Sequence, residues 1–229
     1  MHSLIRIMKS ALHYPLSLAC LLALFPAVAL GQVNTFTNSA DFFGAISASN
    51  YTETFNSIPA PGLVATPTNF SGNGFSFTAT TTNTGGNALY GLTNAGGDDR
   101  WITLFFPQYG LVFTNFSLNV SAIGGNFFAT DDSGDYTNTA ISVGILLSDS
   151  TTFTTNYTPS SPASFLGLTF STNVSLSALV ISNLNDPNPQ FPTADNLTVG
   201  VVPEPSTYAL LGLAAVGLAG YVIRRRRQA

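Results

Sequence analysis

Residues Ile141, Val143, Ile145 and Leu147 place a large aliphatic side chain at every second position. The same period runs through Phe75 and Phe77, set against Ser76 and Thr78, and through Leu197, Val199 and Val201. In "NFSLNVSA", Phe116, Leu118 and Val120 alternate with Asn115, Ser117 and Asn119. A helix scatters such residues around its axis, whereas a strand puts them all on one side. One apolar and one polar face is the pattern of an antiparallel sheet covered on one side. The stretches between read as turns: "TTNTGGN", "NAGGDD", "IGGN", "TDDSGD" and "LNDPNP". The expectation is an all-β fold of about nine to eleven short strands in an antiparallel two-sheet sandwich, jelly-roll-like. One short helix is expected in "NSADFFGAIS", capped by Asn38 or Ser39.

The two ends do not follow this pattern. Arg6 and Lys9 precede an apolar stretch, Leu16 to Leu24, and small residues follow in "AVALGQ". This is the layout of a secretory signal peptide over residues 1–31, cut after Ala29 or Gly31. Cys20 is not expected to carry a lipid, because the apolar run continues past it through Leu21 to Phe25. At the other end, Thr207 to Ile223 has no charge and ends on Arg224, Arg225, Arg226 and Arg227. As a helix this run would extend roughly 25 Å at 1.5 Å per residue, near the lower limit for a bilayer core of about 30 Å. Pro203 and Pro205 would fix its start, and the arginines would stop on the cytoplasmic side. A single transmembrane helix over 207–223 follows, with the rest of the chain outside the cytoplasm.

The order Pro203-Glu204-Pro205-Ser206, apolar span, arginine run resembles the PEP-CTERM sorting signal of exported bacterial proteins. The resemblance implies that an exosortase, a membrane-embedded sorting protease, recognises Pro203, Glu204 and Pro205 and removes the segment 203–229. The part between also resembles the jelly-roll ectodomains found ahead of such signals. It does so in "TETFNSIP" at 52–59, "FLGLTFSTNVSLSALVIS" at 165–182 and "TADNLTVG" at 193–200.

Residues 32–202 would then form the working domain, with one basic side chain, Arg100, against ten acidic ones, a net charge of −9. It contains no His, Cys or Lys. That leaves no Ser-His-Asp or Cys-His nucleophile, no His/Cys zinc site and no disulfide. One arginine cannot line a nucleic acid, so no nucleic acid partner is expected. The chain is read as a structural or adhesive surface or matrix protein and not as an enzyme.

Two alternatives stay open. A calcium-stabilised carbohydrate-binding module would use Glu53 and Asp195, which converge if early and last strands are neighbours; Asn196 or backbone carbonyls would complete the oxygen shell. The plainer reading leaves Glu53 in solvent and Asp195 at the start of the last strand. Trp101, Tyr90, Tyr109, Tyr136 and Tyr157 are the rings available to stack on extracellular polysaccharide. A glycoside hydrolase would need two facing carboxyls in a cleft, one with a raised pKa. The acids of "TDDSGDY" and "GGDDRW" are read as turn residues, with a local ion pair at Arg100.

Overall fold

The computed structural model describes residues 33–203, apart from 84–88, 94–96, 98, 118, 172 and 185–189, together with 209, 210 and 212–218. The expected signal peptide, Glu204, Pro205 and Arg224 to Arg227 lie outside the described residues. By its contacts the chain divides into residues 1–30 and 31–229, and the second unit is the one described.

Fifteen strands and one helix form among the described residues before the C-terminal segment. They run β1 (Asn34–Phe36), α1 (Ser39–Ala45), β2 (Asn50–Glu53), β3 (Gly62–Val64), β4 (Thr68–Gly72), β5 (Phe75–Thr81), β6 (Leu89–Thr93) and β7 (Arg100–Leu104). Then follow β8 (Leu111–Thr114), β9 (Ala122–Thr130), β10 (Tyr136–Thr137), β11 (Ile141–Leu147), β12 (Thr152–Tyr157), β13 (Phe165–Thr169), β14 (Leu176–Asn183) and β15 (Phe191–Gly200). The count exceeds the sequence expectation because β1, β2, β3 and β10 are two to four residues long, too short to show a period.

The strands make two antiparallel sheets. One has nine strands in the order β1-β13-β9-β15-β7-β6-β3, with β10 on β9 and β2 on β15. The other has six, β12-β11-β14-β8-β5-β4. Residues from both contribute to one core, including Phe77, Phe113, Ile141 and Leu179 from the six-stranded sheet and Ile102, Phe127, Leu197 and Val199 from the nine-stranded one. β11 alternates as its sequence demands, with Ile141, Val143, Ile145 and Leu147 all buried.

One expected strand does not form among the described residues. Residues 115–117 and 119–121 connect β8 to β9 without strand structure. Asn115 and Asn119 sit at φ of 52° and 73°, the left-handed region that asparagine tolerates better than most residues. The chain therefore turns at both, and drops Val120 into the core and Phe116 against it. The alternation there marks a loop that dips inward twice.

The nine-stranded sheet is buried on its outer face as well. The ring of Phe42 on α1 lies over Gly124 of β9 and Gly167 of β13, which stand opposite each other in the register. A Cβ at Gly167 would come within 2.5 Å of Phe42, and one at Gly124 within 2.7 Å of Phe165. The helix can seat only because both strands lack side chains there. Phe36 and Phe165 flank the ring at centroid distances of 6.0 and 5.3 Å. Asn38 caps α1, its Oδ1 accepting from the amides of Ala40 and Asp41 at 2.8 and 3.3 Å.

Beyond the domain, residues 209, 210 and 212–218 are helical, with Leu210, Leu213, Val216 and Leu218 exposed. Among the described residues no helix is long and apolar enough to cross a membrane. The remainder of the expected span 207–223 lies outside the described residues.

Phe42→Ala should destabilise the domain by about 3–5 kcal/mol, the usual cost of emptying a buried Phe site. Gly167→Ala should act in the same direction by displacing the ring. Urea unfolding of both variants measures this; unchanged midpoints would contradict the seating of α1.

Candidate functional site

The last strand is expected beside an early one, and it is: β15 pairs with β2 through Leu197–Glu53 and Val199–Tyr51. On its other side β15 pairs with β9, and the register shifts between Asp195–Asn126 and Thr198–Gly124. Two residues of β15, Asn196 and Leu197, thus stand against one of β9, a β-bulge, with Asn196 at φ 49°. The bulge changes the phase of the strand. Ala194 and Leu197, three positions apart, both join the core. Asp195 consequently belongs to the outer face.

The same register separates the expected calcium pair. Residues directly opposite across a sheet share a face. Glu53, opposite Leu197, therefore sits on the core side of the sheet, and Asp195 does not. Glu53 is instead held by the hydroxyl of Tyr51 and by the amide of Phe55, which donates to Oε1 at 2.8 Å. Phe55 is fully buried at φ 55°, so the carboxylate secures the amide of a strained turn. The rest of "TETFNSIP" also has structural work: Asn56 Oδ1 accepts the Arg100 amide, and the Ile58 carbonyl accepts the Arg100 guanidinium at 2.6 Å.

Asp195 has a different neighbourhood. Ala194 pairs with Ile102 and Asp195 with Asn126, which aligns Trp101, Asp195 and Asn126 across β7, β15 and β9 on the outer face. The next row holds Thr103, Thr193 and Phe128. Asp195 accepts from the Asn196 amide and from Asn196 Nδ2, both at 2.7 Å. Asn196 Nδ2 also donates to Asn126 Oδ1 at 3.0 Å, and Asn126 Nδ2 donates to the carbonyls of Ala163 and Ser164. Asp99, in the segment entering β7, reaches Asp195 with its carboxyl.

These groups line a cleft of about 560 Å³, walled by Trp101, by Gly134 and Asp135 of the β9–β10 turn, by Tyr136 at the start of β10, and by Ser161, Pro162 and Ala163. The turn is closed by Asp131, whose Oδ1 accepts the amides of Ser133 and Asp135 at 2.9 Å. That agrees with its reading as a turn. The cleft is lined by three carboxyls, Asp99, Asp135 and Asp195, and by two amides, Asn126 and Asn196. Among the described residues, however, no group of three or more His, Cys, Asp or Glu side chains could hold a metal ion.

The rings are arranged differently from a flat stacking platform. Trp101 is only 7% exposed and packs edge-on against Phe128 at 4.9 Å. Tyr136 and Tyr157 spend their hydroxyls on the Pro159 and Phe165 carbonyls. Among the described residues the exposed phenylalanine rings are Phe43 on α1 and the pair Phe105 and Phe106, which meet at 90°. Sequence reasoning singled out Asp195 and Asn196 and missed Asp99 and Asn126 as their partners. The available signal was a lone amide, Asn126, inside the apolar run "AIGGNFFA".

Burial, and then the neighbouring Asp99 carboxyl, push Asp195 up to about 7, while its bond from the Asn196 amide opposes the rise. A carboxyl raised on folding holds its proton in the native state where the unfolded chain has lost it. Stability is therefore greatest below the unfolded value near 3.8 and declines as pH rises through about 7. The domain should be more stable at pH 5 than at pH 8 by about 1–3 kcal/mol. Asp195→Asn should flatten that slope in paired melting curves; an unchanged slope would place the effect elsewhere.

Comparison with known proteins supplies one match. A search of curated proteins and a search of solved structures each found none. A family model described as the PEP-CTERM protein-sorting motif matches residues 201–227, beginning one residue after β15 ends. This chain carries a PEP-CTERM sorting motif at its C-terminal end, the signal of a protein exported and handled by an exosortase.

Proposed function

We propose that the chain is a surface or extracellular-matrix protein with a structural or adhesive role. Its residues 32–202 form a jelly-roll-like sandwich delivered by a signal peptide, residues 1–31. The segment 203–229 holds it at the inner membrane through a helix over 207–223 until an exosortase-type protease acts at Pro203, Glu204 and Pro205. Release then leaves the domain at the cell surface or in the surrounding polymer.

The observation that carries this reading is where the motif begins. The last backbone ties of the domain are Ser47 N–H to the Val201 carbonyl and Val202 N–H to Ser121 Oγ, both 2.8 Å. Pro203 follows at once, without an amide hydrogen to add to the sheet. Removing the tail would take no strand with it.

A role without catalysis fits the acid pair. Carboxyls of a glycoside hydrolase stand about 5–5.5 Å apart in retaining enzymes and about 6.5–9.5 Å in inverting ones. The Asp99 carboxyl instead acts on Asp195 as a direct hydrogen-bonding neighbour, an arrangement closer than either spacing. The single arginine of the domain gives its guanidinium to the Ile58 carbonyl, which supports the absence of a nucleic acid partner.

Mass spectrometry of the mature protein from its host should find no peptide containing Arg224 to Arg227. Replacing Pro203, Glu204 and Pro205 with alanine should retain that peptide and keep the protein in the membrane fraction. A wild-type surface protein with its arginines intact would overturn sorting by cleavage.

A further inference from the structure

We infer that the cleft between the β9–β10 turn and residues 161–163 is a binding site for a neutral saccharide, gripped through vicinal hydroxyls by Asp99, Asp195 and Asn126. The inference deepens the surface-protein reading by naming a ligand class. It rests on that reading only for where the ligand would be met, because binding itself is measured on purified protein.

Size and lining come first. A cleft of about 560 Å³ lies within the range of roughly 300–1,000 Å³ typical of small-molecule sites. Such sites combine apolar walls with a few convergent polar groups. Here Trp101, Tyr136, Pro162 and Ala163 supply the apolar wall, and carboxyls and amides supply the rest.

Charge narrows the ligand. No cationic side chain lines the cleft among the described residues, and Arg100 donates its guanidinium to the Ile58 carbonyl. A phosphate, sulfate or uronate would meet carboxyls with nothing to neutralise it. A calcium ion needs six to eight oxygen ligands, and although Asp99, Asp135 and Asp195 all line the cleft, among the described residues no three acidic side chains are placed to hold a metal ion. Vicinal hydroxyls fit both constraints, since each donates and accepts without net charge.

Preorganisation is the third argument. Asn196 holds Asp195 and Asn126 in one fixed arrangement, and the Ala163 and Ser164 carbonyls fix the Asn126 amide from the far side. Groups held in place before the ligand arrives lose little entropy on binding. The carboxyl of Asp195 lies beside that of Asp99, and burial favours a proton on Asp195. A hydroxyl-bearing ligand would then meet a donor and acceptors side by side.

The test uses the full chain purified in detergent. Isothermal titration is run with cellohexaose, xylohexaose and maltohexaose, with a galacturonic acid hexamer, and with calcium chloride alone. Two variants accompany the wild type. Asp99→Asn preserves shape and removes a charged acceptor; Ala163→Trp, at an exposed loop position, fills the mouth without touching the core. Binding of at least one neutral hexasaccharide is expected, weakened about tenfold or more by Asp99→Asn, as for loss of a hydrogen bond to a charged group. Ala163→Trp should abolish it with the melting temperature unchanged. No binding of any neutral probe at millimolar concentration would overturn the inference. So would equal binding of the galacturonate hexamer, binding indifferent to both variants, or calcium binding that disappears in Asp99→Asn.

Discussion

The position of β15 organises this molecule. It runs through the interior of the nine-stranded sheet, with β9 along one side and first β7, then β2, along the other. A strand flanked twice must satisfy both registers, and an uninterrupted one would turn Asn196 and Thr198 toward the core. The left-handed turn at Asn196 absorbs one residue, returns Leu197 and Val199 to the core, and leaves Asp195 outside. A packing requirement of the last strand thus creates the acid-lined cleft on the opposite face.

That second face explains much of the composition. A sheet wetted on one side needs only alternate apolar residues, but β9 and β15 are buried on both sides along most of their length. Covering the outer face takes α1 over the paired glycines at one end and Tyr136 of β10 against Phe128 at the other. The threonines between them satisfy one another, Thr193 donating to Thr103 at 3.0 Å and lying 3.2 Å from Thr130. Polar residues can fill a dry layer when each hydroxyl finds a partner.

The sequence made the fold class legible because period two survives wherever one face is apolar, as in β11 and β5. It misled at 115–121, where two left-handed asparagines imitate the polar half of an alternation. The short strands left no period to read, since two to four residues carry none, and β2 alone among them showed through its motif. For the site, the neighbouring of early and last strands was readable from the motifs, but the partner of Asp195 was not. Which acid faces it depends on a one-residue bulge, and a shift of one residue exchanges the two faces of a strand. The sorting segment was the most readable part of all, because its order of parts is local and needs no fold.

The tie between Val202 and Ser121 has a mechanical consequence. Under the anchoring proposed above, drag on the body would be delivered straight into β15. Its ladder bonds lie perpendicular to the strand, on both flanks. Tension along that axis must shear many of them together, whereas an edge strand would peel one bond at a time. A tether there would load a strand bonded on both flanks in place of an edge strand.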